Sequence, residues 1–155
     1  MEIKAILEKP YTEQERLNFI IEYNHNLGYE IKEAENALEA WGYTQEELDY
    51  KEKERIGNLY LTGADVERGI YQAKGMDFDD ILAYVTQLQP EGLDIKALKI
   101  ELKANNFYRG NQYVNAIGIL LGFTPKQLDE FFETNDYKVL LPVEEEPNIE
   151  NLEEV

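Results

Sequence analysis

Three groups of side chains in this 155-residue chain are of types that could do chemistry. Asp79 and Asp80 close the run DFDD, residues 77 to 80, and carboxylates so placed invite a hard divalent cation. A calcium loop of the EF-hand kind needs oxygens at alternating positions over about twelve residues, with a glycine in the middle. Asp79 and Asp80 instead fall into an amphipathic helix, where the dipole of the first turn accounts for acidic residues, so no metal and no cofactor is expected. Asp129, Glu130 and Glu133 follow the stretch GFTPKQLDEFF and offer carboxylates to a protein partner with a basic surface. Tyr108, Arg109 and Tyr113, in YRGNQYVNAIG, are residue types enriched at binding hot spots. The alternative for Arg109 is structural, an ion pair with a neighbouring carboxylate in a tight interhelix turn.

Glycine, an aromatic and a helix-opening Thr124 form the joint of a helix-turn-helix, which raises DNA binding as a function. A recognition helix needs Arg, Lys, Asn or Gln at base edges and further cations for phosphates. The helix after Thr124 sets Lys126 and Gln127 against Asp129, Glu130 and Glu133. The one basic stripe, Lys96, Lys99 and Lys103 with Arg109 beyond, reads as a solvated face opposite Ile95, Leu98 and Leu102. Catalysis has no better footing. His25 is the single histidine, there is no glycine-rich phosphate loop, and no nucleophile has a base at a recognisable spacing. The chain is expected not to be an enzyme.

Thirty-two acidic residues against fifteen basic ones give a net charge of -17, which repels phosphate and anionic lipid at long range. Direct nucleic-acid and membrane partners are therefore not expected. A hydrophobic content of 43% with eleven tyrosines separates the chain from disordered acidic sequences and calls for a folded core. Cysteine is absent, which removes disulfides and thiolate chemistry and fits an intracellular, cytoplasmic setting. MEIKAILEKPYTEQER meets Glu2 and Glu8 early and is neither a signal peptide nor a membrane span.

The elements that position these residues read as a mainly α fold, a bundle of six to seven short helices. A minor two-stranded pairing joins the extended segments EIKAIL and YKVLLPV near the two ends. Thr12 with Glu15 makes a capping box for a helix from about 13 to 24, with Leu17, Ile20 and Ile21 on one face. Ile31, Ala34, Leu38 and Trp41 recur at helical spacing until Gly42, although YEIKEA can also be read as a short strand. Thr44 with Glu47 opens a polar helix through DYKEKER that serves as a solvated connector. Thr62, Asp77, Asp94, Asn111 and Thr124 then cap successive helices, with Gly75 and Gly122 as stops. Phe78, Ile81, Leu82, Val85 and Leu88 trace the strongest apolar stripe. The organisation expected is a small N-terminal helical lobe at 1–50, a main helical domain at 51–143 and a disordered acidic tail at 144–155. WGYTQEELDY, 41 to 50, echoes LGFTPKQLDE, 121 to 130, as two helix-stop, helix-start joints, which good capping chemistry explains without duplication.

KPYTEQER with FIIEYNHN, RIGNLYLTGADV, FYRGN and LLGFTPKQLDEFFE together resemble small acidic proteins of phages and prophages, often encoded close to tail genes. The resemblance covers most of the chain up to about Tyr137, and that family has no established activity or catalytic residues to carry over. It implies phage origin and a non-catalytic, protein-binding role in tail or virion assembly, in the host cytoplasm or on the particle. The alternative is a phage-encoded inhibitor of a host nucleic-acid-binding defence protein, of a CRISPR or restriction system, whose carboxylates stand in for phosphates.

Overall fold

Leu38, Ala40 and Gly42 are buried and alternate with half-buried Ala37, Glu39 and Trp41, the two-residue period of a strand, and the first unit is built around that strand. The computed structural model describes residues 1–142. It divides into one unit of Met1–Glu54 and a second that begins at Arg55, and the division falls inside a helix. In the first unit β1 (Glu2–Glu8), β2 (Glu30–Glu33) and β3 (Ala37–Gly42) form an antiparallel sheet in the order β1-β3-β2. Leu7 lies opposite Leu38 and Ile31 opposite Ala40. One face is covered by α1 (Glu13–Ile20) and the π-helical turn Ile21–Asn26 that continues it, through Phe19, Ile20 and Tyr23. The Phe19 and Tyr23 rings, one turn apart, meet at 4.7 Å between centroids.

Several expectations for this unit are corrected. It is not a helical lobe, and strands are a larger part of the fold than one minor pairing. The helix through Ile31, Ala34, Leu38 and Trp41 is instead a hairpin, closed by Ala34 N–H donating to Ala37 C=O at 2.8 Å. Helical spacing at four positions was met by chance, and the strand alternation of ALEAWG is what packing uses. EIKAIL pairs with β3, not with YKVLLPV. Tyr137–Leu140 is a single 3-10 turn whose start is capped by the Asp136 carboxylate, and it belongs to the second unit, where Leu140 is buried. Leu17 and Ile21 are exposed, because the buried side of α1 is the one bearing Phe19. WGY ends a strand, so the 80-residue echo compares a strand-helix joint with a helix-helix joint.

Capping governs the rest. Thr44 and Glu47 bond reciprocally, at 3.1 and 3.2 Å, to open α2 (Gln45–Gly57). In the second unit Thr62, Asp77, Asp94, Asn111 and Thr124 each accept a first-turn backbone N–H. They start α3 (Gly63–Lys74), α4 (Phe78–Leu88), α5 (Ile95–Glu101), α6 (Gln112–Leu120) and α7 (Pro125–Thr134). A short ribbon pairs β4 (Tyr60–Thr62) with β5 (Asn106–Tyr108). The core gathers Val66, Ile70, Ile81, Val85, Leu98 and Phe131 with their neighbours. Its enclosed cavity of about 30 Å³, lined by apolar side chains, is on the scale of one water. Leu88, expected inside, is 47% exposed at the end of α4. Among the described residues no helix is long and apolar enough to cross a membrane. The acidic tail, 144–155, lies outside the described residues.

Candidate functional site

Arg109 is the buried charged residue of the second unit, and its environment decides what the GFTPKQLDEFF helix can do. It follows β5, where its own N–H is held by Leu59 C=O at 2.8 Å. Its Nε donates to Asp129 Oδ1 at 2.7 Å, one terminal nitrogen donates to Asn115 Oδ1, and the other reaches Pro125 C=O at 3.4 Å. The guanidinium thus ties the loop after β5 to α6 and to the first turns of α7. Arg55, at the end of α2, gives a forked contact to both oxygens of Glu133, at 2.9 and 3.0 Å. Two of the three α7 carboxylates therefore carry internal counter-charges, and Glu130 alone makes no side-chain ion pair among the described residues. Arg55, Ile56, Asp129, Glu130 and Glu133 line a shallow recess of about 180 Å³.

The other candidate residues lie apart from this cluster in role. Asp80 exchanges hydrogen bonds with Asp77, 2.8 and 3.1 Å, as the capping box of α4, while Asp79 is exposed beside it. Among the described residues no three acidic or imidazole groups are placed to hold a metal ion. Tyr108 is half exposed and its ring meets Tyr60 across the β4–β5 ribbon, centroids 5.8 Å apart. Tyr113 is partly buried against the core. Lys96, Lys99 and Lys103 are exposed around Ile100, and Leu98 on the opposite side is fully buried. His25 sits exposed on the π-helical turn.

A surface that the sequence reading missed lies in the first unit. Leu27, Gly28 and Tyr29 precede β2, and Trp41, Gly42 and Tyr43 end β3; the pairing of Glu30 with Trp41 sets the two triplets side by side. With Met1 and Leu48 they line a groove of about 370 Å³. Leu27 is 55% exposed, Met1 and Leu48 each 44% and Tyr43 39%, so four large apolar side chains open to solvent around one depression. Gly42 is required there, since a Cβ would stand 2.7 Å from Tyr29 Cδ1 and push that ring off the strand. Lysine ammonium groups back the aromatic walls, Lys51 at 3.9 Å from the Tyr43 centroid and Lys32 at 4.6 Å from Trp41. Glu30 lines the same groove. Glu47 anchors one end: its carboxylate is held below the usual range, first by the Met1 amine and then by the Thr44 N–H. The signal available in sequence was the repeated apolar-Gly-Tyr triplet, hidden because the segment between its two copies was assigned to a helix.

The arrangement offers contact surfaces and internal ion pairs. The chain was compared with protein-family models, with curated proteins and with solved structures, and nothing matches it in any of the three.

Proposed function

We propose that this is a non-catalytic protein-binding protein of phage type, acting in tail or virion assembly, and that the groove of its first unit is the surface it uses. The observation that carries the reading is the concentration of Leu27, Tyr43, Leu48 and Met1, exposed around a groove walled by Trp41 and Tyr29. Aromatic anchors in a depression, rimmed by polar groups, are the usual makings of a hot spot, and contiguous apolar surface on a monomer marks interaction sites. The phage assignment rests on the resemblance of the sequence segments. The acidic-mimic alternative draws less support, since a phosphate substitute needs free carboxylates, whereas Asp129 and Glu133 are already paired with Arg109 and Arg55.

The test is substitution inside the groove in a phage-producing host. Leu48→Glu, at an exposed position of α2, is expected to leave the fold intact and to abolish co-purification with the protein's partners and any incorporation into particles. Unchanged co-purification would remove the groove from the function. Recovery of a host nucleic-acid-binding protein as the partner would favour the mimic.

A further inference from the structure

The groove is acidic in its setting: residues 1 to 54 hold fourteen acidic side chains against six basic ones. Glu30, in its lining, has no ion-pair partner among the described residues. An occupant must therefore bring an apolar anchor with cations around it. One surface of this chain has that composition. On α5, Lys96, Lys99 and Ile100 share one side of the helix, and Lys103 continues it in the turn that follows, the i, i+3, i+4, i+7 pattern of a single face. Ile100 is 71% exposed and has no packing role to explain it. None of the three lysines lies within ion-pair distance of a carboxylate among the described residues, in a chain where acids outnumber bases two to one.

We propose that the occupant of the groove is a second copy of this chain, which inserts Ile100 of α5 between Leu27, Tyr43 and Leu48 while Lys96, Lys99 and Lys103 face the carboxylates of the first unit. The proposal rests on the reading of the groove as the protein's contact surface and names its partner. A closed space of about 150 Å³ already admits a benzene ring, so a groove of about 370 Å³ accepts an isoleucine side chain. At physiological salt the screening length is about 8 Å, so the repulsion between two copies of net charge -17 is damped, while charges brought into contact still attract. The two surfaces are different patches, so the contact is heterologous: each copy keeps one groove and one α5 free, and association continues head to tail into a ring or a filament.

Sedimentation velocity of the full chain at physiological salt tests this. The apparent mass of the unsubstituted protein is expected to rise at least twofold as its concentration is raised from micromolar to submillimolar. Ile100→Glu and Leu48→Glu, each with an unchanged circular dichroism spectrum, are expected to remain monomeric alone. Mixed, they are expected to form a one-to-one complex that grows no further, because the first retains a groove and the second retains its α5. A protein that stays monomeric throughout, or an association that either variant leaves untouched, would overturn the proposal, as would a mixture that stays monomeric while the unsubstituted chain associates. If the purified protein is monomeric and Leu48→Glu still loses its partners in the phage-producing host, the copy is wrong and the groove stands. If Leu48→Glu alters neither, both are wrong.

Discussion

Arg109 holds its loop by charge-assisted bonds to Asp129 and Asn115 and by a bond to Pro125 C=O. Arg109→Met would leave Asp129 uncompensated, but that carboxylate is 37% exposed, so the cost falls well short of a fully buried pair. We expect about 2 kcal/mol in chemical denaturation, with a smaller loss for Asp129→Asn. The same pairing changes what charge reversal on α7 does: lysines in place of Asp129, Glu130 and Glu133, harmless on a merely solvated face, would set like charges beside Arg109 and Arg55 and destabilise the fold. At Gly69 two effects oppose. Alanine is favoured over glycine in a helix by about 1 kcal/mol, but a Cβ there would come within 2.8 Å of Phe131 Cε1, and overpacking costs about 1 to 3 kcal/mol. Gly69→Ala is therefore expected to lower stability, and a stabilised variant would show that Phe131 can yield. Glu47 supplies the pH dependence. Its pKa is lowered on folding, by the Met1 amine first and the Thr44 N–H second. It thus contributes stability that is present above its ordinary value of 4.5 and lost as pH falls through the lower folded value. Glu47→Gln is expected to flatten that acid limb in a pH series of thermal melts.

The helices were legible because their ends are written in side chains. Thr12, Asp77 and Thr124 each close a reciprocal capping box, and Gly75 ends α3 in the left-handed region at φ 72°. Thr124→Ala is expected to cost about 1 kcal/mol, read as a shift of the denaturation midpoint. The strands were not legible for a physical reason. Ile31, Ala34, Leu38 and Trp41 satisfy helical spacing as well as strand burial, and the pairing that decides between them is made with β1, about thirty residues away in the chain. YKVLLPV looked extended by composition, yet local bonds from Asp136 wind Tyr137–Leu140 into a turn. Arg109, Asp129 and the α7 joint could be placed from sequence because their helices were; the Leu27–Leu48 groove could not, since it exists only once the hairpin of β2 and β3 is formed.

At the scale of the whole molecule, net charge bears on partner choice. Carboxylates facing a phosphate surface gain no counterion-release term, which supplies most non-specific affinity for DNA, so the protein is expected not to retard duplex DNA in a gel-shift assay at moderate salt. Tight, salt-sensitive retardation would restore the helix-turn-helix reading of the α6–α7 joint. The central claim is that binding runs through the groove of the first unit, and crosslinking measures it most directly. A photoreactive amino acid placed at Leu48 is expected to capture a discrete protein partner in phage-producing cells, while the same group at exposed Gln72 of α3 captures none. Equal labelling at the two positions, or capture at Gln72 alone, would contradict the account.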